Sequence, residues 1–192
     1  MACSGLRGRF LRASFESFVA ATPAQQKVSA TCKDFAETFD PGRWGAPWLI
    51  GLPGTGKTHL GASCVRHAIE RRQQWAQLIS ARDIVQRIRS TWGVGASALR
   101  TEQNVIDDLV GFDLLVIDEV GVGFGSDAEL VQLYAVIDAR YAEEHPTMLI
   151  SNLNQPALKA TIGDRLFDRL QERAQVLPCG WPSHRGSLKD EE

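Results

Sequence analysis

The sequence has no run of 18 apolar residues, and its first residues carry no apolar core of the kind that marks a secretion signal. Neither membrane insertion nor export is therefore expected, and a cytoplasmic location is. Cysteine pairing signals are missing too. Cys3, Cys32, Cys64 and Cys179 are scattered, with no C-x-x-C pair and no histidine at ligand spacing, which argues against a zinc site or a disulfide framework and for reduced thiols in a cytosolic protein. Excess charge of one sign is also absent: a net charge of −2 and a pI near 6.1 exclude a globally basic nucleic-acid binder. A local basic face stays open, because Arg7, Arg9 and Arg12 crowd the start while Lys189-Asp190-Glu191-Glu192 forms a short acidic tail. No internal repeat or low-complexity segment stands out. At 192 residues and 44% hydrophobic, the chain can bury one sizeable core, and a single main domain is expected.

The most informative stretch is Gly51-Leu52-Pro53-Gly54-Thr55-Gly56-Lys57-Thr58, which fills every fixed position of the phosphate-binding pattern G-x-x-x-x-G-K-S/T. The apolar run Trp48-Leu49-Ile50 before it reads as a short buried strand. After it, Leu60, Cys64, Ala68 and Ile69 fall on one side of a helix. Glycines let such a loop curl so that several N–H groups face phosphate oxygens, and the helix N-terminus adds partial positive charge. Lys57 can reach the β- and γ-phosphates, the Thr58 hydroxyl can ligate Mg²⁺, and Gly51, Pro53, Gly54, Thr55, Gly56 and His59 complete the cofactor-binding set expected for ATP.

Around this loop, helical and extended patterns alternate. Residues 1–13 carry arginines and small residues without a period and read as a flexible basic arm. A helix from Ala24 places Val28, Cys32, Phe35 and Phe39 on one face and stops at Asp40-Pro41-Gly42. A strand is expected over Trp75 to Ile79, then a helix capped by Ser80 that runs through Ile84, Ile88 and Trp92, and a further helix from Leu99 to Leu109. Leu114-Leu115-Val116-Ile117 reads as a strand buried on both faces and closed by Asp118-Glu119. A helix bearing Leu130, Leu133, Tyr134, Ile137 and Tyr141 follows, then a strand Thr147 to Ile150, a helix opened by Asn154, and a last short strand near Gln175 to Leu177. Strands alternating with helices predict a three-layer α/β fold with a mostly parallel sheet.

ATP hydrolysis needs phosphates held, a metal placed, a water oriented and developing charge matched. Asp118 can hold Mg²⁺ through its water shell, together with Thr58. Glu119 can polarise the attacking water, and Asn152, at the end of the next apolar strand, can bond the γ-phosphate or that water, although a turn asparagine fits its position as well. Arg165, between Gly163 and the Phe167/Leu170 pair, suits an arginine finger on a neighbouring subunit's nucleotide; the alternative is a surface arginine paired with Asp164 or Asp168. Arg169 and Arg173 follow on the same stretch and compete for the role. Arg87, Arg89 and Trp92 have the composition of a base-stacking surface, yet Ile84, Ile88 and Trp92 share a helical face, so Trp92 is open between DNA and core.

Together these motifs resemble the DnaC-like bacterial helicase loaders, P-loop ATPases of the AAA+ class, over about Ser14 to Arg185. The resemblance rests on Gly51 to Thr58, Leu114 to Gly121, Ile150 to Leu153, Ile162 to Leu170 and Trp181 to Arg185. It implies an AAA+ ATPase domain over 14–186 with a parallel sheet of order 5-1-4-3-2, and an acidic tail over 187–192. It also implies Arg165 acting in trans within a self-oligomer, Arg185 as a second nucleotide-sensing arginine, and slow, assembly-dependent ATP hydrolysis. The implied partners are single-stranded DNA and a DnaB-type replicative DNA helicase delivered onto it. Loaders of this kind carry a separate N-terminal domain that grips the helicase, whereas here Met1 to Arg12 alone precedes the core. Two other readings use the same residues: a transposition-helper ATPase of the IstB type, which binds duplex DNA and from whose pattern Trp181 departs, and a non-catalytic adaptor switched by ATP.

Overall fold

A computed structural model of the chain describes residues 4–92, 100–121 and 127–184. Five strands, β1 (Pro47–Gly51), β2 (Ala76–Ser80), β3 (Leu114–Asp118), β4 (Thr147–Ser151) and β5 (Gln175–Cys179), form one sheet in the order β2-β3-β4-β1-β5. Every pairing is parallel, and the order is the expected 5-1-4-3-2 read from the other edge. The continuous apolar runs are explained by burial on both faces. Along β3, Leu115 and Ile117 enter one core while Leu114 and Val116 enter the other, the period of two that a strand imposes.

Helices α1 (Pro23–Thr38) and α2 (Lys57–Arg72) cover one face; α3 (Ala81–Arg89), α4 (Glu102–Val110), α5 (Asp127–Ala142), α6 (Gln155–Ile162) and α7 (Asp164–Gln171) contribute to the other. Side-chain caps set several starts. Ser80 accepts from Asp83 N and Asn154 from Ala157 N, while Thr22 and Gln25 form a reciprocal capping box. A second such box, Thr101 with Asn104, makes α4 begin at Glu102 rather than at Leu99 as the apolar spacing suggests.

Two aromatics lie just outside the elements expected to hold them. Trp75 precedes β2 and is 73% exposed, and Trp92 is 53% exposed because α3 ends at Arg89 and the chain leaves the face shared by Ile84 and Ile88. Its indole N–H donates to Glu102 Oε2 at 3.1 Å.

Within the arm expected over residues 1–13, residues 4–13 pack against the rest of the chain. A short 3-10 helix spans Gly8–Arg12, Leu6 and Ala13 are buried, and Leu78 N on the outer edge of β2 donates to Ser4 O. Gly5 sits at φ +71, and a Cβ there would lie 1.9 Å from Leu78 O, so only glycine allows this approach to the strand. At the opposite edge, β5 carries Pro178, which cannot donate to a ladder.

Below the sheet, Arg140 of α5 is fully buried. Its guanidinium donates to the carbonyls of Leu109, Val110, Phe112 and Pro146 and to Thr147 Oγ1 at 2.7–2.9 Å, tying the end of α4 to the entries of β3 and β4. Among the described residues, no helix is long and apolar enough to cross a membrane.

Candidate functional site

The loop Gly51–Thr58 joins β1 to α2 at the C-terminal end of the sheet, where open parallel sheets bind ligands. Gly54 and Gly56 hold positive φ (79° and 88°), as a loop that turns its amides inward requires. Neither position has room for a side chain, since a Cβ on Gly54 would meet Ser183 Oγ at 1.9 Å and one on Gly56 would meet the Phe18 ring at 2.6 Å. Gly51 lies behind the loop as the last residue of β1, paired with Cys179. Lys57 is buried, and its ammonium donates to Gly51 O at 2.8 Å and Leu52 O at 2.6 Å.

Asp118 ends β3 beside it. The Thr58 hydroxyl donates to Asp118 Oδ2 at 2.7 Å, and Glu119 N donates to Oδ1 at 2.7 Å. Burial raises the Asp118 carboxyl above its ordinary value, opposed by those two hydrogen bonds. Thr58 and Asp118 together offer a hydroxyl and a carboxylate, the hard oxygen donors that suit Mg²⁺. No cluster of three or more His, Cys, Asp or Glu side chains among the described residues could hold a metal without a ligand's oxygens.

Glu119 adopts φ 58°, which turns the chain sharply out of β3 and leaves its side chain exposed on the cleft wall. Ser151 Oγ donates to Val120 O at 2.6 Å and Val120 N to Ile150 O at 3.0 Å, locking the exit of β3 to the exit of β4. Asn152 is thereby brought to the same wall as Glu119.

These residues line a cleft of about 390 Å³ that also takes in Pro53, Thr55 and His59. It is also lined by groups that sequence reasoning did not place in the nucleotide site: Arg9, Phe10, Phe18 and Val19 from the opening segment, and Trp181 and His184 from the segment after β5. The aromatics were visible in the sequence, but nothing in their spacing showed that they return to the phosphate loop. His59 fixes this arrangement. Its Nε2 lies 2.9 Å from Ser14 O and 3.1 Å from Ser17 Oγ, and its ring sits 5.9 Å from that of Phe18. An apolar and aromatic end beside an amide-rich, cationic end matches a nucleoside triphosphate.

Arg165 stands apart, exposed in the first turn of α7 with its guanidinium over the Tyr134 ring at 5.3 Å, and it is not among the residues lining the cleft of its own chain. Asp164 pairs with Lys159 at 3.1 Å instead of with Arg165. Arg169 is tied to α5 through an ion pair with Asp138 and a hydrogen bond to Tyr134 Oη, while Arg173 occupies the turn before β5 at φ 60°. Arg185 lies outside the described residues.

A profile of the family described as "IstB-like ATP binding protein" matches residues 46–191. The proteins named "Replicative helicase loader DnaC" from Buchnera aphidicola (subsp. Acyrthosiphon pisum) and Escherichia coli K12 are 31% and 28% identical to the chain. Each alignment covers 98% of this chain and 76% of the relative. The crystal structure of the DnaC helicase loader superposes with a TM-score of 0.79 at 19% identity, over 90% of this chain and 99% of that one. AMPPCP-bound DnaA from Aquifex aeolicus gives 0.74 at 20% identity, over 94% of this chain and 54% of that one. At those identities the two structures establish the fold alone: an α/β fold on a five-stranded, all-parallel sheet.

Proposed function

The chain belongs to the IstB-like ATP-binding protein family, and from that membership we propose that it is a Mg²⁺-dependent ATPase acting as a helicase loader in DNA replication. The carrying observation is the convergence of Lys57, Thr58, Asp118, Glu119 and Asn152 at the ends of β1, β3 and β4, in a chain alignable almost end to end with loaders. In this reading the loop amides and Lys57 bind the β- and γ-phosphates, and the Phe10/Phe18/Val19 end takes the base. Thr58 and Asp118 would hold Mg²⁺, which when bound neutralises charge on the phosphates. Glu119 polarises the attacking water and Asn152 orients it toward the γ-phosphate.

Arg165 acts on the nucleotide of an adjacent copy. Its exposure, and its absence from its own cleft, support a role in trans, and the engagement of Arg169 with α5 makes Arg165 the better finger. Hydrolysis is then silent in the monomer and appears on assembly, with single-stranded DNA as scaffold and the replicative helicase as cargo. The near full-length alignment with proteins named loaders favours this over a transposition helper on duplex DNA.

A mixing assay tests the proposal. Lys57→Ala and Arg165→Ala are each inactive alone, whereas an equimolar mixture on single-stranded DNA regains turnover, because an intact site meets an intact arginine from its neighbour. Fingers of this kind supply roughly 10³- to 10⁵-fold in rate. Failure of the mixture to exceed either variant would remove Arg165 from the site. Turnover stimulated only by duplex DNA would favour the transposition helper.

A further inference from the structure

The segment that follows β5 contacts the phosphate loop in a way that the proposed chemistry does not use. β5 pairs with β1 as far as Gly51 and Cys179, and the chain then runs alongside the loop, where Trp181 and His184 also line the cleft. Trp181 is buried, and its indole N–H donates to Thr55 O at 3.0 Å. His184 N donates to Gly54 O at 2.9 Å, and Ser183 occupies the space that a side chain at Gly54 would need. Two successive loop carbonyls are thus held toward this strap.

A trans peptide points its C=O and N–H in opposite directions within one plane, and no cis bond is present among the described residues. Fixing Gly54 O toward the strap therefore turns Thr55 N–H away from it, and fixing Thr55 O does the same for Gly56 N–H. These are amides of the loop that cradles phosphate in motifs of this spacing. We propose that Trp181 and the backbone N–H of His184 are positioning groups that aim the Thr55 and Gly56 amides at the triphosphate. The inference rests on the ATP-binding reading of the cleft and assigns a role to the closing Trp-Pro-Ser-His element, whose tryptophan touches the loop and not the reacting atoms.

The chain supplies its own control. Trp44 is also buried, and its indole N–H donates to a main-chain carbonyl away from the loop, Arg169 O, at 3.1 Å. Trp181→Phe, His184→Pro and Trp44→Phe are titrated by calorimetry with ATP and, separately, with inorganic tripolyphosphate. Loss of one aimed hydrogen bond predicts about fivefold weaker binding in Trp181→Phe and in His184→Pro. The factor should be the same for both ligands, since the strap acts on phosphates and not on the base. Trp44→Phe should stay within about twofold of the wild type, a change below the scatter expected of single contacts. Wild-type affinity in both strap variants, a loss seen with ATP but not with tripolyphosphate, or an equal loss in Trp44→Phe would overturn the assignment. A wild-type chain that binds neither ligand would instead overturn the reading of the cleft, and the assignment with it.

Discussion

Replacing Arg140 by methionine keeps most of the volume and removes five hydrogen bonds at once. Burial lowers the guanidinium to about 9, which still leaves it protonated at neutral pH, so these are charge-assisted bonds to helix-end and loop carbonyls. Three of the acceptors have another partner: Val110 O is 2.7 Å from His145 Nδ1, Pro146 O accepts from Leu115 N, and Thr147 Oγ1 donates to His145 O. The loss therefore falls mainly on Leu109 O and Phe112 O, each costing roughly 1–3 kcal/mol when left buried and unpaired. Against this, removing a buried cation recovers part of its desolvation cost, which is of the order of several kcal/mol. The balance predicts a net destabilisation of about 3 kcal/mol, a large share of the stability of an ordinary domain. Urea unfolding at pH 7, followed by far-ultraviolet circular dichroism, measures it. Arg140→Lys, with three donors instead of five, should fall between. A methionine variant within about 1 kcal/mol of the wild type would show that the carbonyl ring does not outweigh the burial of its charge.

Two further outcomes follow from the titrating groups. The Asp118 carboxyl is raised by burial, so the folded chain holds that proton more tightly than the unfolded one, and stability falls as pH rises from the ordinary value of 3.8 through the raised one. Asp118→Asn removes the penalty: without nucleotide it should melt above the wild type at pH 7 and lose that advantage in acid, while ATP turnover drops by at least about a hundredfold. A lower melting point at neutral pH would contradict this. The second outcome concerns Cys32, Cys64 and Cys179, all buried. Cys64 is raised well above its ordinary value by its hydrogen bond to Cys32 and by burial, and burial pushes Cys179 to about 12. Both stay neutral thiols at pH 8 and should resist iodoacetamide until the chain is unfolded in guanidinium, as read by mass spectrometry on a Cys3→Ser background.

The phosphate loop, the flanking strand and helix, and the carboxylates after β3 were legible because each rests on local rules: glycines at fixed offsets, apolar runs of strand length, and acidic residues closing one such run. Ser80 and Asn154 announced their helices for the same reason. The fate of residues 4–18 was hidden, since one strand-edge contact, a 3-10 turn and a serine-rich turn leave no period, and their anchors Leu78, Gly56 and His59 lie far along the chain. Trp92 stayed open between DNA and core because its spacing from Ile88 continues a helix that stops three residues earlier. Trp181 could be noticed but not interpreted, as its partner Thr55 is 126 residues away.

The sheet's two margins have a consequence for higher-order architecture. Along β2 the opening segment already occupies the backbone at Leu78, and β5 carries the imino acid Pro178, which has no N–H to offer a ladder. Copies of this chain are thus poorly suited to join by continuing one another's ladder. On the proposed reading, a ring or spiral of copies would be assembled through side-chain surfaces and loops, which can slide and re-engage, whereas a shared ladder would have to be torn open.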